Sequence, residues 1–385
     1  MTTELSKDIL YELENSAADA EKLLQDLCAI PAPSHFEDER AAFVKKTLES
    51  FGAEGVYIDE AKNVVFPLHC EGKNDIICFA AHTDTVFPAD TPLSFRQDGD
   101  TLYCPGIGDD TANLVNMLMI VRCILRRGLT PTRGVLFVAN ACEEGLGNLK
   151  GTRRIFRDYA GRIDRFITFD GGYHTVMCKS VGSHRYRIEA ATGGGHSWSA
   201  FGAPNAIVEL SRLIGKLCDI PLPEKAGTKT TFNVGSIEGG TSVNTIAQNA
   251  SMLCEYRSDD AETLAVMKQR FDDAVAAFRK DTDANITVTA VGERPCGQAD
   301  DRAAQEQMIR RCAEISERYT GTPCARRSGS TDCNIPLSLG IPAVCIGLIH
   351  GGNAHTREEW ISRKSISVGL KIAARIILDH FKATS

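Results

Sequence analysis

Residues Asp75–Val86 read DIICFAAHTDTV: six unbroken apolar residues, then His82, Thr83 and Asp84. An apolar run of that length, rich in β-formers, is a strand buried on both faces of a sheet. Its abrupt polar end places His82 and Asp84 at the carboxyl end of the strand, where open α/β sheets bind ligands. A His-x-Asp pair there is sensible metal chemistry. One imidazole nitrogen can bind the ion while a nearby carboxylate fixes the tautomer through the other.

Working outward, similar short apolar runs occur at VYI near residue 57, NVVFPL from Asn63, GVLFVANA from Gly134 and RFITF from Arg165. Helical periodicity lies between them, at Asp110 to Arg127 and Gly151 to Tyr159. A helix is expected from Glu4 to about Leu27, a break at Pro31 and Pro33, and a further helix through EDERAAFVKKTLESFGA. Strands alternating with helices predict an α/β fold, a mixed sheet covered by helices. After Gly182 the pattern changes to strand HRYRIEAATGG, helix from about Pro204, strands TFNVGSIEGG and SMLCEYRS, helix Ala261 to Lys280, and strand ITVTAVG. That β-α-β-β-α-β order predicts an inserted ferredoxin-like α+β module. The expected division is 1–182 and 295–385 for the large domain and 183–294 for the insert.

Three more segments end in acidic or imidazole groups. GVLFVANACEEGLG places Glu143 and Glu144 after a strand, where a cation removes their mutual repulsion and one carboxylate can serve as general base. RFITFDGG closes on Asp170, and its glycines let backbone come close to a ligand. HGGNAHTREEW sets His355 in a glycine-bounded loop after the strand PAVCIGL. In YCPGIGDDTANLVNML, Asp109 and Asp110 open a helix; one is expected to be its N-cap, leaving the other free to bridge metals. Each element alone has an ordinary structural explanation. Together they form the nitrogen and oxygen set that zinc accepts.

The bulk composition removes competing classes. With 43 Lys and Arg against 50 Asp and Glu, the formal charge is −7 and no basic stripe offers itself to nucleic acid. No membrane span and no signal peptide are read, because no run approaches the ~18 apolar residues a span needs and the start is amphipathic and acidic. The 14 cysteines are scattered singly without a Cys-x-x-Cys pair, as reduced core thiols of a cytoplasmic protein would be. No phosphate-binding glycine loop of either common pattern is present.

In the order His82-Thr-Asp84, Gly-Asp109-Asp110, Glu143-Glu144-Gly, Asp170-Gly-Gly and Ala-His355-Thr, the chain resembles the di-zinc peptidase family of peptidase T, carnosinase and the acetylornithine and succinyl-diaminopimelate deacylases. The resemblance covers nearly the whole chain. ATGGGHSWSAFGAPNAI, EGGTSVNTIAQ and EYRSDD look like that family's lid, or dimerisation, module. It implies two Zn2+, with Mn2+ or Co2+ as alternatives: His82 and Asp170 on one, Glu144 and His355 on the other, and Asp109 between them. It also implies Glu143 as base, Asp84 as the group orienting His82, and His196 as a lid histidine reaching a neighbouring subunit's site in a homodimer. Asn244, Arg257 and the SGSTD loop with Ser330 would contact substrate. Where relatives often carry Asp-Asp-Lys-Gly, this chain has Asp109-Asp110-Thr111-Ala112, a change outside the ligand set.

The expected activity is hydrolysis of a peptide bond in a di- or tripeptide. An Asp at position 170 is more frequent in the true peptidases of the family, and a Glu in its deacylases. N-acyl-amino-acid deacylation is the alternative, and a non-catalytic binding protein on the same scaffold a remote one, since no ligand or base is missing.

Overall fold

A computed structural model of the chain describes residues 4–382. Two compact units emerge, one built from the segments up to Ser180 and from Gln298 onward, the other from Val181–Gly297.

The first unit is organised by an eight-stranded sheet in the order Tyr57–Ile58, Val64–Leu68, Gly134–Asn140, Ile76–His82, Ile163–Thr168, Ala343–Ile346, Thr175–Ser180, Ala325–Gly329. The four central strands, from Gly134–Asn140 to Ala343–Ile346, run parallel, and the flanking pairs make the sheet mixed. Ile76–His82 and Gly134–Asn140 are buried at every position, which is why both read as unbroken apolar runs. Phe79 stacks between Phe137 and Phe169, at centroid distances of 5.8 and 6.1 Å, and ties three neighbouring strands together. The helix Ala112–Arg127 is buried throughout its first thirteen residues, so the apolar run from Leu114 is a core helix. No helix among the described residues is long and apolar enough to cross a membrane.

Two expectations change. The N-terminal helical pattern is two helices, Lys7–Asn15 and Ala17–Cys28, because Ser16 turns its hydroxyl back to the Glu12 carbonyl and its N–H to Leu13. Neither Asp109 nor Asp110 is the N-cap of the helix Ala112–Arg127, which follows Thr111. Asp110 instead accepts from His82 N at 2.9 Å and from Asn113 Nδ2 at 2.6 Å.

The second unit carries a four-stranded antiparallel sheet, Thr230–Gly239, Asn249–Ser258, Gly182–Ala191, Asn285–Arg294, backed by helices Ala206–Cys218 and Ala261–Lys280. Both helices start where the sequence supplies a cap: Asn205 accepts from Ile207 N, and Asp260 from Thr263 N at 3.0 Å. All 14 cysteines are free thiols, and Cys218 alone is exposed.

Candidate metal centre

The parallel strands end at one edge of the sheet, and the titratable residues collect there. His82 is the last residue of its strand and pairs in register with Asn140, just before the Glu143–Glu144 turn. Asp170 follows the neighbouring strand Ile163–Thr168. Asp109 comes from the loop before the helix Ala112–Arg127, and His355 from the loop beyond the strand Ala343–Ile346.

Asp109 sits between the two imidazoles. Its Oδ1 lies 3.0 Å from His82 Nε2 and its Oδ2 lies 3.0 Å from His355 Nε2. His355 Nε2 is also 2.9 Å from Glu144 Oε1. Three overlapping groups follow: His82 with Asp109 and Asp170, Asp109 with Glu144 and His355, and His82 with Glu143 and Glu144. Within each group the potential ligand atoms lie within 4.8 Å of one another. Nitrogen and oxygen donors converging from one strand end and four loops, with one carboxylate offering an oxygen to each side, fit divalent ions such as zinc.

The electrostatics agree. Burial would lower the His82 pKa, but the charge of Asp110 and hydrogen bonds to Asp109 and Asp84 raise it well above the usual imidazole range. For Asp109 burial acts upward, and the hydrogen bonds from His355 and His82 outweigh it and hold the carboxyl well below its ordinary value. Burial, then the charge of Asp109, pushes Asp170 up to about 7. Hydrogen bonds to Asp109 and then Glu144 raise His355 to about 10. An acid such as Asp170 that resists ionisation, beside imidazoles that hold protons, describes a site with too much negative charge for itself, which bound cations would relieve.

The supports are local and specific. His82 Nδ1 faces the main-chain oxygen of Asp84 at 2.9 Å, with the Asp84 carboxylate 3.5 Å away. The carboxylate of Asp84 turns instead to the amides of Glu143 and Glu144, both at 2.9 Å, and accepts from Ser34 Oγ at 2.6 Å. Asn113 joins Asp110 to the Gly171 carbonyl at 3.2 Å and accepts from Leu348 N at 2.6 Å. Buried Arg40 donates to Thr83 O at 2.9 Å and Thr111 Oγ1 at 3.3 Å, joining the ends of two site loops. Ser330 lies in a loop anchored by buried Asp332, which accepts from Asn140 Nδ2 at 2.7 Å and from Thr152 Oγ1. Ser34, Arg40 and Asn113 escape sequence reading because they bind side-chain and main-chain groups of segments distant in sequence, and nothing in their own neighbourhood marks that.

In the second unit His196 and Asn244 are brought together. Gly195–His196 pairs with Thr245–Ile246, and Asn244 O accepts from Ser197 N at 3.0 Å. Arg257 is not with them. It pairs with Ser183 near the far end of the sheet, eight positions along its strand from Asn249, a span of roughly 26 Å at ~3.3 Å per residue, and its Nε donates to Glu255 at 2.6 Å.

The sequence profile of peptidase family M20/M25/M40 matches residues 78–379. The chain belongs to this family. It is a hydrolase of peptide or amide bonds. Among M20/M25/M40 relatives, carboxypeptidase G2 of a Pseudomonas species is 23% identical over 379 residues, covering 96% of this chain and 87% of the relative. A crystal structure of a Staphylococcus aureus tripeptidase superposes with a TM-score of 0.74 at 21% identity, covering 94% of this chain and 97% of that one. The YXEP protein of Bacillus subtilis, described as a dinuclear metal-binding M20 peptidase, superposes with a TM-score of 0.65 at 15% identity over 95% and 99% of the two chains. The M20/M25/M40 profile takes in all five residues grouped around Asp109 and the whole inserted unit.

Proposed function

We propose that the chain is a two-metal peptidase acting on di- or tripeptides. The observation that carries this reading is Asp109, whose two oxygens face two imidazoles at 3.0 Å each. His82 and Asp170 would hold one ion and Glu144 and His355 the other, with Asp109 shared; zinc suits these donors, and manganese or cobalt are alternatives. Ions bound there would polarise the scissile carbonyl and acidify water.

The chain's own residues do the rest. Glu143, whose backbone is fixed by Asp84, takes the proton of the attacking water and returns it to the leaving nitrogen. His196 donates to the developing oxyanion, while Asn244, Arg257 and Ser330 hold the substrate, Arg257 through a bidentate contact to a carboxylate. A dipeptide cannot span the distance between Arg257 and the His196–Asn244 end of one sheet. Their joint use in one site would draw on two copies, with His196 of one serving the site of the other in a homodimer. Trp198, Phe201 and Val243 beside them are 87%, 92% and 100% exposed, which supports a covered surface in that assembly.

The test is hydrolysis of a panel of di- and tripeptides beside N-acetyl and N-succinyl amino acids, by zinc-loaded protein and the Glu143→Gln variant. Cleavage of peptides that is lost in the variant is expected. Turnover of acyl amino acids alone would move the chain to the deacylases.

A further inference from the structure

We infer that Glu359 is the positioning residue that aims Asp109 between the two metal positions, an inference that rests on the two-ion reading above. Glu359 ends the turn that carries His355 and is 1% exposed, while its neighbour Glu358 is exposed and paired with Arg96. A carboxylate is buried in this way only where hydrogen bonds replace its water. Those bonds all go to one loop. Oε2 accepts from Gly106 N at 2.9 Å, and Oε1 accepts from Gly108 N and Asp109 N, both at 2.8 Å.

The loop is moulded around this side chain. Gly106 is left-handed at φ 74°, and a Cβ on Gly108 would stand 3.3 Å from Glu359 Oε1 and 3.2 Å from Ile361. Cys104 N donates to the Glu359 carbonyl at 3.3 Å, and the following strand Trp360–Ser362 pairs with Thr101–Tyr103. The loop holding Asp109 and the turn holding His355 are thus one hydrogen-bonded body with Glu359 at its centre. Fixing the Asp109 amide fixes the origin of its side chain, and so the direction of the two oxygens that face His82 and His355. Glu359 touches neither substrate nor metal position. Its effect passes through Asp109.

The test uses cobalt(II) in place of the native ions. Full-length wild type, Glu359→Gln and Glu358→Gln are titrated with cobalt(II), and the visible spectrum, the number of ions bound and their affinities are recorded. The metal-free proteins are melted in parallel. Glutamine keeps the shape of Glu359 but turns an amide NH2 toward main-chain N–H groups. The expected result is a folded Glu359→Gln protein with an altered cobalt spectrum and ion affinity weakened by about 10–100-fold, and kcat lower at little-changed KM. Glu358→Gln should match wild type. If Glu359→Gln does not fold, the same readings on Glu359→Asp, which keeps the charge but withdraws it from the loop, should change in the same direction. Wild-type spectrum and affinity in a folded Glu359 variant overturns the inference while two-ion binding by wild type stands. Fewer than two ions on wild type overturns the two-ion reading itself, and this inference with it.

Discussion

Asp84 accepts the main-chain N–H of Glu144 at 2.9 Å. With its other oxygen on the Glu143 amide, it holds the turn that presents both glutamates, and Ser34 closes the arrangement from the N-terminal segment. Asp84→Asn replaces one acceptor by an NH2 group that faces an amide N–H, leaving a buried donor without a partner. The expected outcome is a fall in kcat of about 10–100-fold and a stability loss of about 1–3 kcal/mol in urea unfolding. Retention of wild-type kcat would show that the glutamate turn does not depend on this carboxylate.

Removing metal should separate activity from fold. The imidazoles of His82 and His355 each face an Asp109 oxygen at 3.0 Å, a distance at which a proton can stand between them. The sheet beneath the site is held by apolar burial that owes nothing to the ions. Chelator treatment is therefore expected to abolish hydrolysis, leave far-UV circular dichroism unchanged and lower the melting temperature, with zinc restoring both losses. Unfolding on chelation would mean that the ions are part of the fold itself.

Much of this was legible because the chemistry follows the strands. His82, Glu144 and Asp170 are read from where apolar runs stop, and the sheet brings those stops to one edge. The elements of the inserted unit were legible for a related reason: its alternating strands and capped helices are set by local pattern. What escaped was bonding between side chains and distant main chain. Glu359 is one of two glutamates in HTREEW, and nothing local distinguishes it from exposed Glu358. One of Asp109 and Asp110 reads as a cap because Asp commonly is one before a helix, and only the tertiary fold puts the His82 amide in front of Asp110. Arg257 looked like a companion of Asn244, and strand register set it at the other end of the sheet.

Acid sensitivity should arise in part away from the site, at His380. Its ring lies 5.8 Å from Phe79, and burial, then the charge of Arg133, pushes its pKa down to about 4, with Arg165 also lowering it and Asp379 and Asp164 opposing. The unfolded chain takes up this proton near pH 6.5, the folded chain only near 4, so the unfolded state binds more protons between those values. Stability from this group is present above pH 6.5 and is lost as pH falls toward 4, by at most about 3 kcal/mol. Urea unfolding of wild type and His380→Leu at several pH values should show a shallower fall in the variant across that window. Parallel curves would place the acid sensitivity elsewhere.

The sharpest steric constraint near the site is at Gly347, just beyond the strand Ala343–Ile346. A Cβ there would stand 1.8 Å from the carbonyl oxygen of Gly171, and 2.1 Å from its carbon, inside the turn that follows Asp170. Both partners are backbone, so no rotamer change can relieve the overlap. Asn113 holds the same two segments, through Gly171 O and Leu348 N, and resists their separation. Gly347→Ala must therefore part them, which is expected to cost about 3 kcal/mol or more, the scale of overpacking a tight core. Because the parting moves the turn behind Asp170, metal affinity should fall with stability. Gly202→Ala, at a left-handed glycine with open space around it, is the control: it carries only the backbone cost of about 1 kcal/mol and should leave metal affinity unchanged. Urea unfolding and metal titration of the two variants check both statements, and a Gly347→Ala protein as stable as wild type would contradict the close approach.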